Sequence, residues 1–191
     1  NTGGMGAYSP APIINKNLEK KIIKKIVQPT LRALKKKNHP YTGFLYVGLM
    51  IRNNEPYLIE YNVRMGDPEC QVIMPRLKTD LVHLLKASVE NRLGKVKIRW
   101  RKKKCMTIVL CSKGYPSKKI INKKINLKGI FLTKLTFIFH AGTKIKNGLL
   151  FSNGGRVLNI VVLGNTFLKI RNQILKIIKT INWKYGFFRK D

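Results

Sequence analysis

Glu60, Asn62 and Arg64 alternate along one short segment, Ile59-Glu60-Tyr61-Asn62-Val63-Arg64-Met65-Gly66-Asp67-Pro68-Glu69. Three of the eight acidic residues of the chain (Glu60, Asp67 and Glu69) fall within these eleven positions, while lysine and arginine dominate elsewhere. Residues two apart on a strand share a face, so a carboxylate, an amide oxygen and a guanidinium would project together. Glu60 and Asn62 offer the hard oxygen ligands that magnesium prefers, an ion that keeps some waters and completes its octahedron with phosphate oxygens. Arg64 can clamp a phosphoryl or acyl-phosphate oxygen. This is the ligand logic of phosphoryl transfer. A plainer alternative pairs Glu60 with a lysine and Arg64 with Asp67 or Glu69 as surface ion pairs.

The flanking pattern supplies the elements that would hold these groups. Gly43–Ile51 reads as a buried strand in which Gly48 leaves room for a close neighbour, and Arg52-Asn53-Asn54-Glu55 is a hairpin turn. The strand returning over 56–63 would carry Leu58, Glu60, Asn62 and Arg64 on one face and Ile59, Tyr61 and Val63 on the other. Gly66 ends it, and Asp67 followed by Pro68 reads as the cap and first position of a short helix, whose N-terminus would lower the Cys70 pKa. Upstream, Gly3, Gly4 and Gly6 free the backbone of a loop to approach a ligand, although the lysine of a Walker-type loop is missing. A helix capped by Asn17 is expected to run to about Lys37, kinked or broken at Pro29. Another follows Thr79-Asp80, with Leu81, Leu84, Leu85 and Val89 inward, and is closed by Gly94.

Residues 95–104 form a very basic connector, and from Cys105 the pattern turns to strands. Strands are expected at 106–111 and 137–140, and a hairpin at 149–152 and 156–163 about a turn at Asn153-Gly154. Asn165 or Thr166 caps a last helix carrying Phe167, Ile170, Ile174, Ile177, Ile178 and Ile181 inward, and Trp183 begins a tail.

A length of 191 residues with 44% hydrophobic content suits a globular chain of one or two domains. No apolar run reaches membrane-span length. Cys70, Cys105 and Cys111 are odd in number, without metal-ligand spacing, and fit a reducing compartment. His39, His83 and His140 lie far apart and lack zinc-ligand spacing. The formal charge of +31 invites a nucleic-acid reading. Against it, 29 of the 39 basic residues are lysine and 10 arginine, spread along helices and turns, and the aromatic residues sit in apolar patterns expected to be core. Lysine, isoleucine and asparagine share A/T-rich codons, so compositional drift onto solvated faces is the simpler account.

The segment Arg64–Gln71 resembles the signature of the glycinamide ribonucleotide synthetase (phosphoribosylamine–glycine ligase) family, and so does the opening Asn1–Pro10. Tyr41–Tyr46, His140–Lys144, Asn153–Leu158 and Phe188–Asp191 also match that family, in its order and approximate spacing. Glu-x-Asn-x-Arg by itself is shared by many ATP-grasp enzymes. The resemblance implies an α+β fold: the second half of an ATP-grasp domain over 1–94, the connector 95–104, and a small, mainly β C-terminal domain with a terminal helix over 105–191. It implies a cytoplasmic, ATP-dependent carboxylate–amine ligase of purine synthesis, joining glycine to 5-phosphoribosylamine through a glycyl phosphate. Glu60 and Asn62 would then be magnesium or manganese ligands, and Arg64 the catalytic cation. Gly3, Gly4, Gly6, Asp67 and Glu69 would line the substrates. His140 and Lys144 fit a loop packed over the site. The family's N-terminal half, including the adenine pocket, is missing from this sequence. The chain also begins at Asn1 inside a functional loop, so it reads as a piece of a longer protein. The remaining alternatives are a non-catalytic remnant of the ligase and a basic nucleic-acid-binding module.

Overall fold

In the computed structural model, residues 3–190 are described. Asn1, Thr2 and Asp191, the ends of two of the family-like motifs, lie outside the described residues. In chain order the strands are β1 (Gly6–Ser9), β2 (Tyr46–Arg52), β3 (Glu55–Asn62), β4 (Lys104–Ser112), β5 (Lys124–Ile125), β6 (Thr136–His140), β7 (Thr143–Lys146), β8 (Leu149–Ser152), β9 (Arg156–Gly164) and β10 (Gly186–Phe187). The α-helices are α1 (Lys16–Ile22), α2 (Gln28–Lys36), α3 (Cys70–Ile73), α4 (Leu81–Val89) and α5 (Phe167–Thr180). This is an α+β chain, and packing divides it into two compact units, neither contiguous in sequence. One takes residues up to Ser9, Asp67–Leu77 and everything from Trp100 onward; the other takes Pro10–Gly66 and Lys78–Arg99.

The first unit is built on an antiparallel sheet ordered β1-β4-β9-β6, with β10 also on β4. β1 and β10 share one edge of β4, at Cys105–Ile108 and Cys111–Ser112 respectively, so the expected tail contains a strand. Both faces of the sheet are covered, which is why β9 reads Val-Leu-Asn-Ile-Val-Val-Leu with hardly a polar break. On one face Ile170, Ile174 and Ile177 of α5 meet Ile108, Leu110, Leu158, Ile160 and Val162. On the other, Val72 of α3 packs on Cys105, Val161 and Leu163, and Met5 on Val109 and Cys111. Thr166 caps α5, its side chain accepting from Lys169 N. A second sheet orders β5-β8-β7.

The expected hairpin of 149–152 with 156–163 does not form, because β8 pairs with β5 and β7 whereas β9 pairs with β4 and β6. The tight turn is instead Asn147-Gly148, at φ 49° and 70°, the two positive φ values a two-residue hairpin of right-handed twist requires.

In the second unit, Asn15 rather than Asn17 caps the long helix, its Oδ1 accepting from Asn17 N and Leu18 N. Pro29 does not break that helix: a π-helical stretch, Ile23–Val27, joins α1 to α2 and widens the spiral just ahead of the proline, which has no N–H to offer. β2 and β3 form the expected hairpin, with Asn53 and Asn54 at φ 50° and 58°. Asp80 caps α4 by accepting from His83 N at 2.8 Å. Its end comes earlier than Gly94, at Asn91 (φ 55°), where Asn91 N donates to Ser88 O and Arg92 N to Ala87 O. Lys21 and Lys25 both reach Glu55, at 2.5 and 2.7 Å, tying the helical segment to β3.

Candidate active site

Glu60 and Asn62 lie near the end of β3, opposite Gly48 and Tyr46 of β2. The register slips between Gly48, paired with Glu60, and Leu49, paired with Leu58, which leaves Ile59 as an extra residue. The bulge and the end of the strand each correct an expectation. Leu58 is turned to the face opposite Glu60, since its partner Leu49 follows Gly48 directly. Arg64 is not on the strand face at all, because β3 stops at Asn62; Arg64 sits in a bend with Nη1 donating to Met65 O at 3.0 Å.

Glu60 and Asn62 do share a face. Asn62 Nδ2 donates to Glu60 Oε1 at 2.9 Å. Gly48 is what lets the carboxylate lie across the hairpin, since a Cβ there would stand 2.9 Å from Glu60 Cγ. On the opposite face Tyr61 hydroxyl bonds Thr30 Oγ1 of α2 at 2.5 Å, so the helical layer covers that side and the Glu60 side stays open within this unit. A carboxylate and an amide oxygen converging from one strand fit two of the six places around magnesium or manganese, once the Asn62 amide turns its oxygen forward. The described residues contain no cluster of three or more His, Cys, Asp or Glu able to hold a metal alone. A metal held by this pair would need water or phosphate oxygens in its other places.

The remaining predicted residues belong to the first unit, where they form a separate constellation. Asp67 is not a helix cap. The cis Asp67–Pro68 bond turns the chain, and α3 begins only at Cys70. Asp67 Oδ1 accepts from Gln71 Nε2 at 2.8 Å, and its Oδ2 takes Arg156 Nη2 at 2.9 Å. Arg156 Nη1 also donates to Asp67 O at 2.6 Å and to Gly4 O at 3.3 Å. One guanidinium therefore ties the glycine loop, the cis turn and the start of β9. Gly4 is required there: its φ is 76°, and a Cβ would meet Arg156 Nη1 at 2.5 Å. Gly6 lies in β1, and Gly3 borders open space. Glu69 is half-buried just ahead of α3.

Arg156 was the residue that motif reading passed over. Its signal was present, as one of only ten arginines, inside the glycine-rich Asn153–Leu158 segment. Those glycines pack Gly142 backbone against Gly154, where a Cβ on either would come within 2.9 Å of the other. His140 Nδ1 meets Thr143 Oγ1 at 3.2 Å on the exposed rim of the same loop, and Lys144 is exposed on β7. Burial raises the pKa of Cys70, with help from Asp67, in the direction opposite to the helix-terminus expectation. Burial likewise pushes Cys105 up to about 12 and Cys111 to about 11, so all three are protonated thiols near neutrality. Tyr57 and Phe131 are exposed rather than core.

Two family models match. Residues 1–70 fit the ATP-grasp (A) domain of phosphoribosylglycinamide synthetase, and residues 105–191 fit its C domain. The chain belongs to the phosphoribosylglycinamide synthetase family. It is 42% identical over 192 residues to the phosphoribosylamine–glycine ligase of Rhizobium meliloti (strain 1021), matching all of this chain and 45% of that protein. With the ligase of Mesorhizobium japonicum the identity is 43% over 193 residues, with the same coverage. The crystal structure of phosphoribosylamine–glycine ligase from Thermotoga maritima superposes with a TM-score of 0.82 at 34% identity, over 100% of this chain and 46% of that one. The chain thus spans about half the length, 45%, of the curated relatives it matches. The biotin carboxylase domain of a 2-oxoglutarate carboxylase shares the fold alone, with a TM-score of 0.64 at 12% identity over 97% of this chain and 40% of that one. A related domain from Hydrogenobacter thermophilus, with a TM-score of 0.63 at 11% identity over 96% of this chain and 40% of its own, was crystallised with the magnesium salt of ADP. The nucleic-acid alternative is not favoured. No helix of the described residues is long and apolar enough to cross a membrane.

Proposed function

We propose that this chain is the C-terminal part of a phosphoribosylamine–glycine ligase. ATP phosphorylates the glycine carboxylate, and the amine of 5-phosphoribosylamine then attacks the glycyl phosphate. The products are glycinamide ribonucleotide, ADP and phosphate. The observation that carries this reading is the match of the whole of this chain to 45% of the ligase, at 42% identity over 192 residues. In the reading, residues 1–94 close an ATP-grasp domain, 95–104 connect, and 105–191 form the C-terminal domain. Glu60 and Asn62 hold magnesium or manganese, which when bound neutralises phosphate charge. Arg64, freed from the strand face and exposed, swings onto transferring phosphoryl oxygens. Gly3, Gly4 and Gly6 form the loop beside the substrates. Asp67 and Glu69 face their amine side, with Asp67 held in place by Arg156. The family's N-terminal half, from the same or a second polypeptide, supplies the adenine pocket and the rest of the phosphate site. The setting is the cytoplasm.

The test supplies the chain with the segment of the Rhizobium meliloti relative that it does not match, together with ATP, 5-phosphoribosylamine and glycine labelled with 18O in its carboxylate. An acyl-phosphate route moves one labelled oxygen from glycine into each phosphate released. Product formation with unlabelled phosphate contradicts the route, and absence of product contradicts the ligase reading of this chain.

A further inference from the structure

Helix α4, Leu-Val-His-Leu-Leu-Lys-Ala-Ser-Val, is apolar around most of its circumference. Leu81 and Leu84 are half-buried and Ala87 is fully buried, at 0% exposure. Val82, Leu85 and Val89 stand outside instead, at 72%, 44% and 75%. The sequence pattern had placed Leu85 and Val89 inward. Their actual spacing, i, i+3 and i+7, makes a second apolar stripe on the side away from Ala87. A helix apolar on both sides is built to be buried on both, and a contiguous exposed patch of this kind marks a contact surface. Lys86, four residues after Val82 and three before Val89, stands on the same side. It lies 4.0 Å from Glu90 at 67% exposure, so it is open to a second carboxylate.

Resting on the ligase reading, we propose that the Val82-Leu85-Val89 stripe is the docking surface for the part of the family enzyme that this chain does not span. The relatives are more than twice as long as the chain, which matches 45% of them, so a partner segment of domain size is available to cover it. Its complementary face is apolar, with a carboxylate opposite Lys86.

The experiment uses this chain and the segment of the Rhizobium meliloti relative outside the matched 45%, with the dissociation constant measured by calorimetry. The triple variant Val82→Asp, Leu85→Asp, Val89→Asp is compared with Ile145→Asp, which is equally exposed (75%) but lies on β7 of the other unit. We expect the wild-type chain and Ile145→Asp to bind alike, and the triple variant to bind roughly 100-fold more weakly with unchanged circular dichroism. As a second measurement that spares the fold, a thiol placed by Val89→Cys becomes shielded from maleimide on mixing. The inference is overturned if the triple variant binds within threefold of wild type, if the Val89→Cys thiol stays reactive in the mixture, or if the wild-type chain does not bind. It is also overturned if the wild-type chain self-associates through this stripe, because a second copy is then the occupant. Product formation that is indifferent to the stripe overturns this inference and leaves the ligase reading standing; binding through the stripe without product formation does the reverse.

Discussion

Gly48→Ala tests whether the Glu60 carboxylate is held where phosphate chemistry needs it. The new Cβ would sit 2.9 Å from Glu60 Cγ, against 3.4 Å or more for ordinary contact, so the Glu60 side chain must move by at least 3.4 − 2.9 = 0.5 Å. Its neighbours leave little choice of direction: Glu60 O and the Tyr46 ring each lie 3.5 Å from the same point. The side chain must leave its rotamer well, so global stability should fall by about 0.5–1.5 kcal/mol. Catalysis is less forgiving, since a misplacement of about 1 Å can cost on the order of 100-fold. For half that displacement we expect kcat of the complemented enzyme, measured as ADP release, to fall roughly tenfold. The loss should deepen at low magnesium. Met50→Ala, two residues along the same face and exposed, serves as the control and should change kcat by less than about twofold. A Gly48→Ala enzyme with wild-type kcat at subsaturating magnesium would refute the assignment of Glu60 as a positioned metal ligand.

Further outcomes follow from the rest of the molecule. Glu55 is lowered from its ordinary 4.5 to about 2, first by the Lys21 hydrogen bond and then by Lys25, with burial opposing. A depressed carboxylate contributes stability above its unfolded value that is lost as pH falls through its folded one. In urea titrations Glu55→Gln should therefore be less stable than wild type at pH 6, and the gap should close as pH drops from 4.5 towards 2. Ile174→Ala removes a fully buried contact between α5 and the sheet and should cost about 2–5 kcal/mol of unfolding free energy by the same method. Arg156→Met leaves Asp67 and the Gly4 carbonyl without their shared guanidinium, and should cost about 2 kcal/mol. Arg156→Lys should recover less than half of that, because one ammonium cannot reproduce the two-pronged contact.

What could be read in the sequence was mostly local. The Thr166 cap and isoleucine spacing gave α5, the Asn53-Asn54 turn gave the β2–β3 hairpin, and Gly48 announced a close neighbour that proved to be Glu60. The failures share one cause, dependence on partners distant in sequence. A period-two reading cannot register a single inserted residue, so the bulge at Ile59 hid the true facing of Leu58. It also carried the strand past Asn62, where pairing with Tyr46 ends, so that Arg64 was counted on it. β1 and β10 are only a few residues long, and β4, far from both in sequence, determines that they are strands. Asp67 has the composition of a cap, but a distant guanidinium and a cis bond give it a different task. Asn147-Gly148 and Asn153-Gly154 carry the same Asn-Gly hairpin signal, and local pattern favoured the second and paired the wrong strands; Gly154 instead packs backbone to backbone with Gly142, and Gly155 leaves room for the Tyr115 ring.

The account rests on Glu60 and Asn62 acting as a pair. The most direct measurement is the magnesium dependence of glycine-dependent ADP release by the chain complemented with the unmatched segment of its Rhizobium meliloti relative, compared between wild type, Glu60→Ala and Asn62→Ala. The account predicts that Glu60→Ala lowers kcat by on the order of 100-fold or more, and that Asn62→Ala raises the magnesium needed for half-maximal rate by roughly tenfold. Wild-type rate and magnesium dependence in Glu60→Ala would contradict it.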